Sequence, residues 1–80
     1  MMYDYRVTGR IIHDLRKTRG MTQEVLSGLA GVSRSHLAEI ETGRTKANVD
    51  TLWRISEAFA MKLSCLISMV EDAIERGESM

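Results

Sequence analysis

Between Gly31 and Ala47 the chain carries a dense set of hydrogen-bonding side chains: Ser33, Arg34, Ser35, His36, Glu39 and Thr42, followed by Arg44, Thr45 and Lys46. Only Val32, Leu37, Ala38 and Ile40 interrupt them with apolar groups. The chemistry such a set offers is non-covalent: charged donors and hydroxyls on a short segment suit an anion or a polar edge. No serine, histidine and acid arrangement carries a catalytic signature, and 80 residues leave little room for a substrate pocket, so no enzyme is expected. His13 and His36 lie far apart, without cysteines or carboxylates at ligand spacing, so neither a metal nor a cofactor is expected. Cys65 is the single cysteine; it cannot form an internal disulfide, and reads as a small buried or half-buried hydrophobe.

Overall charge argues against a polyanionic partner, since 11 bases balance 11 acids. The distribution reverses that. Residues 1–48 hold eight bases (Arg6, Arg10, Arg16, Lys17, Arg19, Arg34, Arg44, Lys46) against five acids, a balance of plus three. The remainder sets Arg54, Lys62 and Arg76 against six acids, a balance of minus three. A polyanion would dock on the basic half, which contains the polar set.

The elements that must hold this set form, on their spacing, a single all-α domain over residues 1–80, a compact bundle of five helices. Ile11, Ile12 and Leu15 make an amphipathic first helix from Tyr5 to Arg19, which Gly20 ends. Thr22 caps a second helix to Ala30, closed by Gly31; Ser33 caps a third to Thr42, stopped by Gly43. Asn48 caps a fourth, with Val49, Leu52, Ile55 and Phe59 as its stripe, ending near Ala60. Ser64 is read as the cap of a fifth carrying Leu66, Ile67, Val70 and Ile74, and the polar tail 75–80 is expected to fray.

Helices two and three, joined by a tight turn at Gly31, meet the geometric needs of a helix-turn-helix over residues 22–43. Leu26, Leu37 and Ile40 sit where the two must bury side chains between them, and Ser27 is small where they approach. The polar start of helix three then projects outward, as entry into a DNA major groove about twelve ångströms wide requires.

Here the sequence resembles the phage repressor and Cro family of helix-turn-helix regulators, the Xre family, with a lambda-repressor-like fold. The likeness runs over about residues 8–70. It rests on Leu15-Arg16-Lys17 with Gly20, Met21-Thr22-Gln23-Glu24 through Leu26, Ala30-Gly31-Val32-Ser33-Arg34-Ser35, Ile40-Glu41, Gly43-Arg44 and Thr51-Leu52. The resemblance implies that Ser33, Arg34, Ser35 and Glu39 read bases, with Arg34 donating twice to guanine and Glu39 accepting from cytosine N4. It implies phosphate contacts from Gln23, His36, Thr42, Arg44, Thr45 and Lys46. It pairs Arg16 with Glu41 as a structural bridge. It places a homodimer contact on the last helices, for which Trp53, Leu66, Met69, Val70 and Ile74 of a dimerisation helix 63–76 and its neighbour supply apolar area.

Some positions depart from the family pattern. Ser27 stands for the usual alanine, Gly28 weakens helix two, and Ala47 stands where proline is common. Val25 and Leu29 are apolar at positions often polar, and are expected to pack under the N-terminal segment bearing Tyr3 and Tyr5; otherwise they form a partner surface. The expected partners are double-stranded DNA and a second copy of the chain. A protein partner is the alternative, in which the chain is an antitoxin-like interaction module whose DNA binding is autoregulatory. A restriction-modification controller or phage-type repressor is a subtype of the first reading. No stretch resembles a signal peptide or a span of about twenty apolar residues, so a cytoplasmic, bacterial or phage-type protein with no membrane partner, nucleoid-associated when bound, is expected.

Overall fold

Four residues set the helix starts by presenting a side-chain oxygen to an otherwise unpaired backbone N–H. Asp4 Oδ1 accepts from Arg6 N at 3.0 Å, Thr22 Oγ1 from Val25 N at 3.1 Å, Ser33 Oγ from His36 N at 3.0 Å, and Asn48 Oδ1 from Thr51 N at 2.8 Å. The computed structural model describes residues 2–78, and over them the helices are α1 (Tyr5–Thr18), α2 (Gln23–Ala30), α3 (Arg34–Glu41), α4 (Val49–Ala58) and α5 (Leu63–Glu75). No strand occurs among the described residues. The all-α, five-helix architecture is the one that the spacing predicts.

The fifth helix starts differently from expectation. Lys62 is the N-cap residue and makes no side-chain cap bond, so Ser64 lies inside the first turn rather than before it. The reason is the way α4 ends. Ala60 turns left-handed (φ 55°) while Met61 N donates to Ser56 O at 3.0 Å, and the chain re-enters a helix early enough to place Leu63 and Ile67, four apart, along one groove.

Packing follows the apolar stripes. Val7 and Ile12 of α1, Leu26 of α2, Leu37 and Ile40 of α3, Ile55 of α4, Phe59 just after it, and Leu66 and Val70 of α5 are all fully buried in one core. Helix α1 packs on α3 and α5, α2 on α3 and α4, and α4 on α5. Gly9 permits a close approach: a Cβ there would stand 1.9 Å from the Ile40 carbonyl oxygen, so α1 crosses α3 backbone to backbone.

Three sequence expectations are corrected here. Val49 is exposed rather than part of the α4 stripe; at about 100° per residue it lies some 40° from exposed Trp53 and 60° from buried Leu52. Cys65 is exposed, not buried or half-buried, because it sits beside Leu66 on the outer side of α5. The start of the tail does not fray: α5 runs to Glu75, and the Glu78 carboxylate bonds Arg10 and also Arg76 Nε at 2.9 Å. Ser79 and Met80, the rest of that expected tail, lie outside the described residues.

Candidate nucleic-acid interface

The angle between α2 and α3 is made at Gly31, whose φ of 70° and ψ of 31° belong to the left-handed region open to glycine at little cost. Val32 N donates to Ser27 O at 3.0 Å to close the turn, and Arg54 Nη1 of α4 reaches the Gly31 carbonyl at 3.4 Å. Ser27 is buried and bonds back to Glu24 O at 3.1 Å, so a hydroxyl is accommodated where the helices meet. With Leu37 and Ile40 buried beneath it, α3 turns the opposite face outward.

That outer face carries Arg34, Ser35 and Glu39, all exposed, with half-buried His36 at its edge. None of these four side chains makes a hydrogen bond or ion pair among the described residues. Ser33 is exposed too, but its hydroxyl oxygen already accepts from His36 N as the cap; the hydroxyl hydrogen remains to donate. Thus three of the four residues expected to read bases, Arg34, Ser35 and Glu39, share one unpartnered row, and the fourth, Ser33, is engaged as the cap.

A buried carboxylate holds this row in place. Glu41, at the end of α3, receives Arg16 Nε on Oε2 at 2.8 Å and Arg16 Nη2 on Oε1 at 3.0 Å. His13 Nδ1, protonated on that nitrogen to donate, lies 3.1 Å from Oε1, and Gln23 Nε2 donates to the same oxygen at 3.2 Å. Arg16 Nη1 also donates to Met21 O at 2.8 Å. Burial pushes the Glu41 carboxyl upward, but the bonds from Arg16, His13 and Gln23 outweigh it and leave its pKa below the ordinary value. One carboxylate therefore ties α1, the start of α2 and the end of α3 together.

The expected phosphate contacts divide into those free to act and those already engaged. Gln23 is half-buried, and its amide is oriented by Glu41 with one Nε2 hydrogen left over. It lines a shallow polar depression of roughly 420 Å³ together with Thr22, Arg34 and Lys17. Lys17 is not among the expected phosphate contacts; the fold brings it to the same depression. Arg44 and Lys46 are exposed and Thr45 half-buried, on the loop after α3. Thr42 is the exception. Its hydroxyl donates to Ala38 O at 2.9 Å and its N–H to the same carbonyl at 3.1 Å, so it closes α3 rather than offering a donor to phosphate.

The expected dimer residues also separate. Leu66 is 0% and Val70 1% exposed, because they are four apart on the face of α5 that meets the core; they cannot line an interface. Met69 and Ile74 are half-buried, and Trp53 is 55% exposed. Trp53 borders a groove of roughly 860 Å³ between α4 and α5, with Met61, Leu63 and Ile67 as its apolar lining. Val25 and Leu29, at 49% and 61% exposed, are not covered by the N-terminal segment. Tyr3 instead lies beside Ile67 and Ile74 of α5, and its hydroxyl pairs with Thr8 Oγ1 at 2.8 Å.

Among the described residues, no group of three His, Cys, Asp or Glu side chains is placed to hold a metal ion, and no helix is long and apolar enough to cross a membrane.

A helix-turn-helix family model matches residues 12–64, which include α2, the turn, α3 and the following loop. The chain is 32% identical over 76 residues to the ImmF control region 10 kDa protein of Bacillus phage phi105, covering 95% of this chain and 84% of that protein. It is 36% identical over 59 residues to the immunity repressor protein of the same phage, covering 74% of this chain but 41% of that longer protein. Among solved structures, the restriction-modification controller protein C.AhdI from Aeromonas hydrophila superposes with a TM-score of 0.75 at 25% identity, over 81% of this chain and 98% of that one.

Proposed function

This chain belongs to the helix-turn-helix family of phage repressor and Cro type, and from that premise we propose that it is a transcriptional regulator that reads a pseudo-palindromic operator as a homodimer. Helix α3 with its caps, residues 33–42, enters the major groove. The observation that carries this reading is the outward row of Arg34, Ser35 and Glu39, free of protein partners on a helix held by the Arg16–Glu41 pair. Two copies would set their recognition helices about 34 Å apart, on successive major grooves. Such a protein works where the DNA is, in a bacterial cytoplasm, by occluding or contacting polymerase.

Selection from random duplex oligonucleotides tests the reading directly: an enriched motif with two-fold symmetry is expected, and its absence sinks the proposal. On that operator, Arg34→Ala should lose about 1–3 kcal/mol of discrimination at one base position. Lys46→Ala should instead weaken all sequences alike and lower the salt slope by about 0.9. Anisotropy titrations over a salt series separate the two.

Trp53 and the apolar groove beside it are the surface we assign to the second copy. Large aromatics at such centres commonly carry about 2 kcal/mol or more of association energy, so Trp53→Ala should raise the dimer dissociation constant roughly thirtyfold. Sedimentation at graded concentrations measures this, and an unchanged constant would place the contact elsewhere. The exposed Val25 and Leu29 pair favours a second reading, an antitoxin-like module that masks a protein partner on α2 while DNA binding controls its own expression. Co-purification of one stoichiometric partner that is lost on Leu29→Glu, with operator binding intact, would support it.

A further inference from the structure

The first turn of α1 meets the loop that follows the recognition helix, and the two bound a polar cleft of roughly 500 Å³ lined by Asp4, Tyr5, Arg6 and Lys46. The Lys46 ammonium sits 5.5 Å from the centre of the Tyr5 ring, close enough for the ring face to hold it. Arg6 lies along the end of α3: a Cβ on Gly43 would stand 2.9 Å from Arg6 Cγ and 3.3 Å from its Cβ. Its guanidinium bonds the Asp4 carboxylate through Nε at 3.1 Å and Nη2 at 3.2 Å. Two of five N–H donors are thereby engaged and three remain. Two cations therefore face one carboxylate, and that carboxylate is already paired.

We propose that this cleft is a second anchoring site for the nucleic-acid backbone, in which Arg6 and Lys46 grip one phosphodiester while Tyr5 positions Lys46. The inference rests on the operator-binding reading above and extends the footprint beyond the helix-turn-helix to α1. A phosphodiester fits the chemistry because its two non-bridging oxygens accept from a guanidinium and an ammonium together. The location favours a backbone phosphate over a free anion, since exposed Arg44, two residues along the same loop, continues the basic edge towards α3. Asp4 acts as a brake. It caps α1 through Oδ1 and at the same time competes with the phosphate for Arg6.

The test uses the full chain on its selected operator, with affinity followed over a salt series. Arg6→Gln retains the methylene stem packed on Gly43 and removes the charge; the slope should fall, equally on specific and unrelated DNA, by up to the value of about 0.9 for one whole phosphate contact, of which Lys46 keeps a share. Arg6→Lys should keep the wild-type slope. Asp4→Asn preserves an N-cap acceptor and removes the competing charge, so binding should tighten severalfold although the helix cap is no stronger. A purely structural role for the Asp4–Arg6 pair predicts the opposite, since breaking the pair would then loosen binding. An unchanged slope in Arg6→Gln, or no tightening in Asp4→Asn, with normal wild-type binding, overturns the site alone. Failure of the wild-type chain to select any operator overturns the reading on which it rests.

Discussion

Arg16→Ala is expected to destabilise the domain by about 3–5 kcal/mol, because it leaves the Glu41 carboxylate buried without its main counter-charge. Domains of this kind have about 5–15 kcal/mol in all, and each kcal/mol moves the melting temperature by roughly 4–8 °C, so the variant should melt more than about 12 °C lower. Thermal unfolding followed by circular dichroism measures it; a shift of a degree or two would mean that the pair is solvated and contributes little. A companion variant distinguishes the bond from the burial. Replacing both partners, Arg16→Met with Glu41→Leu, should recover much of the stability, since apolar groups of similar volume leave no charge stranded. Operator affinity should stay low in that double variant, because Gln23 loses the acceptor that orients its amide. Stability and function are thus predicted to part company at one site.

The same carboxylate sets an acid limit. Its pKa is lower in the folded protein than the ordinary glutamate value of 4.5, so its ionised form is favoured by folding. The stabilisation is therefore present in full above that value and declines as pH falls through the depressed folded pKa. Neutral and mildly acid solutions should show no such loss from this group. In Glu41→Gln the acid limb of the stability curve should flatten.

Gly9→Ala carries the second large effect, and its sign runs against helix propensity. In an exposed helix interior, alanine for glycine gains roughly 0.5–1 kcal/mol. At Gly9 the new methyl would stand 1.9 Å from the Ile40 carbonyl oxygen, a backbone atom of a helix that is also packed against α2. Either α1 or α3 must move, and overpacking of this kind costs about 1–3 kcal/mol or more. Gly28→Ala is the matched control, since α2 leaves open space around that position and the ordinary gain is expected. Parallel melts should therefore move in opposite directions. If both rise, the α1–α3 approach is looser than described.

These two glycines show where sequence reasoning ends. Gly9 and Gly28 look alike along the chain, each a helix-weakening residue inside a helical segment, and only the crossing of α1 over α3 distinguishes them. Local signals were legible: Thr22, Ser33 and Asn48 announce their helices because capping is settled by neighbours three residues away. Signals that depend on which side of a helix meets another were read less well. Helix α5 is apolar on several faces, so Leu66, Val70, Met69 and Ile74 could not be divided into core and surface before the partner helices were known. Tyr3, expected over α2, lies against α5 for the same reason. The Arg16–Glu41 pair, 25 residues apart, came from family resemblance, since no periodicity links those positions. Its further partners His13 and Gln23 converge only through the packing of three helices.

The side chains of Arg34, Ser35 and Glu39 make no tertiary bonds, whereas the residues that orient α3 lie beneath it or at its ends. Substitutions in the two groups should combine additively, because they share no partners. The outward row is in that sense an interchangeable address. On the proposed reading, a lineage or a protein engineer can rewrite those three positions to recognise a different operator while the scaffold unfolds at nearly the same temperature. Paralogues with non-overlapping targets could then arise within one cell without first passing through a misfolded ancestor.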